Sequence, residues 1–140
     1  MSSNEDSVSF WIALTCRSHR NAAALGLAEF GLYVGQEFIL DQLWREEGIT
    51  QSCLAGRLGI DLSTMTKSLQ RMERNGLIER RSDAEDTRAT CVFLTDQGRA
   101  LQPKIIAMWQ QLEERSLAGF TCDERAFLAK LLQRIEQNLT

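Results

Sequence analysis

Two short amphipathic helices joined by a glycine turn are the feature that most constrains how this chain can fold. Thr50 is predicted to cap a helix over residues 51–58, and Gly59 supplies a left-handed exit from it. Asp61 is then predicted to cap a second helix over residues 62–75. Two such helices with a tight turn between them form a helix-turn-helix pattern.

The second of these helices has one apolar side and one side rich in hydrogen-bond donors. The apolar positions repeat at helical spacing and are Leu62, Met65, Leu69 and Met72. A helix with short hydroxyls and long donors on its other side can enter the major groove of DNA, where these groups reach phosphates or base edges. The predicted DNA contacts on this side are Ser63, Thr64, Thr66, Lys67, Gln70 and Arg71.

The rest of the chain reads as helices and one hairpin. Two predicted strands, residues 77–81 and 89–94, flank a polar turn and make a β-hairpin wing. The one proline, Pro103, and widely spaced glycines favour helices with short connections. These helices are predicted over residues 8–28 and 35–47, from Thr95 to about Leu117, and after the capping box that opens at Thr121. The predicted fold class is mostly α with a small β-hairpin wing.

Composition narrows the classes of function. The chain has 140 residues, a net charge of −3, four cysteines and one histidine. Wide cysteine spacing without a Cys-x-x-Cys pair argues against a zinc ribbon or a disulfide framework. A single histidine leaves few schemes for acid–base catalysis near pH 7. We therefore expect no enzymatic activity, no metal site and no cofactor.

Charge and hydropathy indicate where such a protein works. Residues 57–81 carry six basic and three acidic side chains, so this segment is locally basic within an acidic chain. The N-terminus, Met-Ser-Ser-Asn-Glu-Asp, lacks the basic start of a secretory signal. No window approaches the length of about 18 apolar residues that spans a membrane. A cytoplasmic protein without membrane contact is expected.

Several motifs in order carry a resemblance to a known family. Residues 86–98 read D-T-R, five residues, then L-T-D-Q-G, which is similar to the wing signature D-x-R-x5-L-T-x-x-G of the MarR family of bacterial winged-helix transcription regulators. Residues 69–78 resemble the family's L-x-R-L-E-x-x-G-L-I, with Met72 in place of a leucine. Residues 54–60 and 63–66 support the resemblance, which covers almost the entire chain.

The resemblance implies a single domain over residues 1–140, with a winged helix-turn-helix lobe at 34–95 and dimerisation helices at 1–33 and 96–140. It also implies a homodimer on a pseudo-palindromic double-stranded DNA operator, usually a repressor until a small molecule or an oxidant alters the dimer. The apolar stripe of the last helix needs a partner surface and consists of Leu128, Leu131, Leu132, Ile135 and Leu139.

The wing and an effector crevice complete the predicted sites. Arg88 at the wing tip is expected to enter the minor groove, with Asp86 bracing its guanidinium. By family analogy a small-molecule effector would bind between the dimerisation helices and the DNA-binding lobe, lined by the first, second and long fifth helices. An aromatic, partly cationic pocket suited to an aromatic acid would use Trp11, Arg20, Phe38 and Trp109, although core packing explains each of them equally well.

The cysteines leave an alternative function open. An oxidant-sensing branch of the family uses a cysteine in the first helix, so Cys16, near Arg17 and Arg20, is the redox candidate. Two tyrosines are expected in that branch and Tyr33 is the only one here, so we expect Cys16 to be a buried structural thiol. The alternative regulators are an oxidant sensor that uses Cys16 and a metal sensor that uses Cys16 and His19. The alternatives outside the regulator class are a peroxide-reactive thiol protein that uses Cys16 and a module that docks on protein.

Overall fold

The protein, described here by a computed structural model over residues 7–140, forms seven helices and three short strands within that range. The helices are α1 Val8–Ala28, α2 Gln36–Arg45, α3 Gln51–Leu58, α4 Leu62–Arg74, α5 Asp96–Ala100, α6 Gln102–Ser116 and α7 Cys122–Leu139. The strands are β1 Ile49–Thr50, β2 Ile78–Ser82 and β3 Thr90–Leu94. The prediction of a mostly helical fold with a small wing is confirmed. Residues 1–6, which form the acidic start of the predicted N-terminal region, lie outside the described residues.

The wing belongs to a three-stranded antiparallel sheet in the order β1-β3-β2. β2 and β3 pair from Ile78 opposite Leu94 to Ser82 opposite Thr90. The two residues of β1 pair with the same strand, with Ile49 opposite Val92. β1 was not predicted from the sequence, because two residues are too few to show an alternating pattern.

The core is centred on the helix-turn-helix lobe and extends to Leu27 of α1 and Ile105 of α6. Met65, Leu69 and Met72 of α4 are fully buried, as their spacing predicted. The expectation that Leu62 joins them is wrong, because its side chain is half exposed. Leu62 is the first residue of α4, and a helical side chain points back towards the N-terminus, past the packed turns.

A single long helix from Thr95 to Leu117 was also a wrong expectation, because the chain breaks at Leu101 into α5 and α6. Pro103 occupies the first turn of α6, where a missing N–H leaves no intrahelical bond unmade. Leu101 keeps a right-handed helical conformation and accepts the first bond of α6 from Ile105 N at 2.9 Å. The two helices therefore follow one another through Leu101 alone, without a loop between them.

The terminal helices leave much apolar surface open. In α1 only Ala23 and Leu27 are buried, and α7 has no buried residue. The large apolar side chains exposed on α1, α6 and α7 are Val8, Phe10, Trp11, Leu25, Ile106, Phe127, Leu132 and Leu139. None of the helices within residues 7–140 has both the length and the apolar character needed to cross a bilayer.

Candidate nucleic-acid interface

Asp61 organises the leading end of α4. Its carboxylate accepts hydrogen bonds from Ser63 Oγ at 2.6 Å, from Thr64 N at 2.9 Å and from Thr64 Oγ1 at 2.7 Å. The bonds from Ser63 and Thr64 hold the pKa of Asp61 well below its usual range. An ionised carboxylate only accepts, so both hydroxyl protons point to it and the exposed oxygens offer lone pairs. Such acceptors suit the amino groups of cytosine and adenine.

The middle of α4 presents longer donors. Lys67 and Gln70 are exposed, and neither has a hydrogen-bond or ion-pair partner within residues 7–140. Thr66 differs from the other predicted contacts, because its half-buried hydroxyl donates to Leu62 O at 2.9 Å and accepts from Gln51 Nε2 at 3.3 Å. The single proton of this hydroxyl is therefore used inside the protein. Lys67 and Gln70 remain available to base edges.

The tip of the wing is ordered by Asp86. Its Oδ1 accepts from the backbone N of Arg88 at 3.0 Å and lies 3.6 Å from Nε of the same residue. Ala89 N donates to Asp86 O at 3.0 Å and closes the turn. The side chain of Arg88 is 94% exposed, so it projects from the hairpin with a carboxylate at its base. The predicted pairing of these two side chains is present, although the backbone bond is the shorter of the two contacts.

A cavity of about 740 Å³ lies between α1, the connection from α1 to α2, and the C-terminal end of α4. Among the described residues that line it, three are arginines and none is acidic: Arg20, Arg71 and Arg74. The guanidinium carbon of Arg71 lies 4.1 Å from the ring centroid of Tyr33, which also lines the cavity. Leu32 and Val34 add apolar surface. A cationic, partly aromatic cavity of this kind suits an organic anion.

Of the four side chains predicted for an effector pocket, only Arg20 lines this cavity. Trp11 and Phe38 are about half exposed elsewhere, with Trp11 edge-on to Phe10. Trp109 is packed against the core, and its ring stacks on His19. The predicted crevice lay against α2 and the helix after the wing, whereas the cavity faces α4. Arg74, which also lines the cavity, is not among the predicted site residues.

Comparison with known proteins places this architecture. The sequence profile of the MarR family matches residues 32–90. The regulator TtmR from Methylorubrum extorquens (strain PA1), an HTH-type transcriptional regulator, is 34% identical over 81% of this chain, which spans 57% of that protein's length. A crystal structure of MarR superposes with a TM-score of 0.83 at 28% identity, covering 99% of this chain and 95% of that one. The chain belongs to the MarR family.

A second solved structure concerns a MarR protein with DNA. A mutant MarR from E. coli, complexed with operator DNA, matches with a TM-score of 0.80 and 25% identity, covering 91% of this chain and 92% of that one. MarR family proteins are transcriptional regulators and not enzymes.

The second half of the MarR family wing signature has a structural explanation in this chain. The Thr95 hydroxyl donates to Gly76 O at 2.6 Å and accepts from Gly98 N at 3.1 Å, so it caps α5 and ties that helix to the end of α4. Gly98 is buried, and its carbonyl accepts from Trp44 Nε1 at 3.1 Å. A Cβ at this position would overlap the Leu77 carbonyl oxygen. The signature is therefore a packing motif that holds the base of the wing.

The thiols of this MarR family chain differ in exposure. Cys16 is exposed on α1, so the expectation of a buried structural thiol is wrong for the single chain. The reason is that α1 packs against the lobe through its second half, where Ala23 and Leu27 are buried. Its first half, which contains Cys16, has no buried residue. Cys91 lies in β3 and is buried. A redox role for Cys16 stays a prediction.

Proposed function

We propose that this MarR family regulator is a dimeric repressor that binds a pseudo-palindromic operator and leaves it when a small aromatic acid binds. The exposed polar edge of α4 supports the operator part, because four predicted contacts carry unpaired donors or outward lone pairs: Ser63, Thr64, Lys67 and Gln70. Arg88 supplies an exposed cation on the wing. The operator complex of a MarR relative is consistent with this use of the lobe. Such a protein acts where the DNA is, in the cytoplasm.

The exposed apolar surface of the terminal helices supports the dimer. Phe127, Leu132 and Leu139 project from a helix without any buried residue, and Leu25 and Ile106 are exposed on α1 and α6. Large apolar side chains exposed in this number mark an interface in soluble proteins. A second copy of the chain is the proposed cover, because a two-fold dimer presents two α4 helices to two half-sites.

Footprinting on the DNA upstream of the protein's own gene tests the operator and the dimer together. Two protected half-sites about one helical turn apart are expected. The logarithm of the binding constant should fall linearly with that of the salt concentration, by roughly 0.9 per phosphate contacted. Light scattering should give twice the chain mass. Binding that does not distinguish this DNA from an unrelated duplex, or a stable folded monomer, would contradict the proposal.

The cavity supports an aromatic acid as the effector. The carboxylate of the acid would lie among Arg20, Arg71 and Arg74, and the ring of the acid would pack on Tyr33 and Leu32. Arg71 lies both on the predicted DNA-contacting side of α4 and on the cavity wall. An acid that binds Arg71 therefore withdraws a cation from the DNA-facing side, which couples the two sites by competition.

An aromatic carboxylate such as 1-naphthoate, with 1-naphthamide as the uncharged probe, tests this effector site. We expect the acid but not the amide to raise the melting temperature and to weaken operator binding. Arg20→Ala should reduce affinity for the acid by about tenfold or more, because a charge-assisted hydrogen bond is lost. Phe38→Ala is the matched control and should leave that affinity unchanged. Equal responses to acid and amide, or loss in Phe38→Ala alone, would refute this location.

A further inference from the structure

Arg80 lies on the wing strand β2 but does not project from it as a free cation. Only 22% of its side chain is exposed, and its Nε is buried without a hydrogen-bond partner among residues 7–140. Its neighbour Arg81 is 59% exposed, pairs with Glu79 at 2.7 Å and stacks on Phe93. Two consecutive arginines thus have different surroundings, and only Arg80 is directed into the lobe.

The buried guanidinium joins three elements. Its NH2 donates to Glu73 Oε1 of α4 at 3.1 Å, and its NH1 donates to Gln51 Oε1 of α3 at 3.2 Å. The Arg80 backbone N also donates to Glu73 Oε2 at 3.2 Å. Gln51 in turn donates to the Thr66 hydroxyl of α4. The planar fork of arginine matches this arrangement of two partners, which a lysine ammonium cannot reproduce.

The electrostatics fit a structural link rather than a phosphate contact. Hydrogen bonding and charge from Arg80 hold the pKa of Glu73 below its usual range, so the carboxylate is ionised and neutralises the guanidinium. Both terminal nitrogens of Arg80 already have partners within the protein. A cation neutralised in this way releases few counterions from DNA.

We propose that Arg80 is a positioning residue that sets the wing at a defined angle to the recognition helix α4, acting through Glu73 and through Gln51 and Thr66. This inference rests on the proposed DNA-binding function. Major-groove contacts of α4 and a minor-groove contact of Arg88 must be made at the same time, so the angle between helix and wing determines whether both are satisfied. Thr66 then serves the recognition helix as part of this network, and its hydroxyl proton does not reach DNA.

Operator binding by matched variants tests the proposal. Arg80→Ala and Arg80→Lys should each lower affinity for the operator duplex recovered with the parent protein by about tenfold. Hydroxyl-radical footprints should weaken under the wing while the protection under α4 persists. Arg81→Ala removes the same charge from the same strand and should keep the wing footprint. In an Arg88→Ala background, which already lacks the wing cation, adding Arg80→Ala should leave the salt slope unchanged. A further reduction of about one would instead identify a phosphate contact of Arg80 and overturn the proposal.

Glu73 and the DNA-free protein provide two further measurements. Glu73→Ala should also weaken binding although it removes an acid, and adding it to Arg80→Ala should cost little more, because both changes break one link. Without DNA, hydrogen exchange in Arg80→Ala should rise for amides of residues 78–94 and stay constant in α6. Unchanged exchange in the hairpin would overturn the proposal even if the parent bound no operator. Failure of the parent to recover any specific duplex would instead count against the proposed function.

Discussion

Gly98→Ala should lower the free energy of unfolding by about 3 kcal/mol, since inserting a methyl into a packed backbone contact forces the chain to shift. The new Cβ would overlap the Leu77 carbonyl oxygen and lie 3.1 Å from Leu94 Cδ2. The Leu77 carbonyl also accepts from Thr95 N at 3.1 Å, so its displacement would disturb the joint between β2 and α5. Urea unfolding at one fixed protein concentration measures the loss.

Gly56→Ala is the matched control for this substitution. Gly56 lies inside α3 with open space where a Cβ would stand, and alanine there should stabilise the helix by about 0.5–1 kcal/mol. Each of the two substitutions adds one methyl group, and their effects on the free energy of unfolding should have opposite signs. A Gly98→Ala protein as stable as Gly56→Ala would show that the base of the wing is loosely packed.

Arg88→Ala should weaken operator binding by about 1–3 kcal/mol and lower the salt slope by about one, because one cationic contact is removed. Asp86→Ala should weaken binding too, since Asp86 accepts from the Arg88 backbone and lies beside its guanidinium. The operator affinity of Asp86→Asn should lie between that of the parent and that of Asp86→Ala, because an amide oxygen can still accept a hydrogen bond from the Arg88 backbone. Fluorescence anisotropy at fixed salt measures all three.

Whether Asp86→Ala weakens or strengthens operator binding separates two physical accounts of an acid beside DNA. A carboxylate that merely repels phosphates would give tighter binding once removed, and tighter binding by Asp86→Ala with the dimer intact would refute the bracing role. Lys67→Ala is the comparison at α4, where an exposed ammonium can reach base edges. That variant should change which operator bases are preferred, whereas the Arg88 and Asp86 variants should keep the same preference.

The first residue of a helix could be predicted from the sequence where the interactions that cap its N-terminus are local. Thr50 accepts from Cys53 N, Asp61 accepts from Thr64 N, and Thr121 forms a reciprocal capping box with Glu124, each within a few residues. Side-chain caps of this kind satisfy backbone groups that the helix leaves open, whatever the rest of the fold does. The helix-turn-helix was predictable for that reason.

The arginine-lined cavity could not be predicted residue by residue, because its lining comes from segments distant in the chain. Arg20 belongs to α1, Tyr33 to the following connection, and Arg71 to α4. The aromatic residues chosen from the sequence satisfied the chemistry of an aromatic acid but not the geometry. Helix periodicity indicates which side of a helix is apolar, and it does not indicate which neighbour that side meets.

The sequence by itself determined the helix-turn-helix, the wing and the family, because caps, periodicity and short motifs act over a few neighbouring residues. Tertiary structure alone decided which charges are available to DNA. Arg80 and Arg81 are adjacent and chemically identical, yet one is neutralised by Glu73 within the lobe and the other is mostly exposed. Glu37 is likewise buried, with its pKa raised by loss of solvent, although its place in the first turn of α2 is typical of an exposed acid. Burial depends on packing between distant segments, and packing determines the state of a charge.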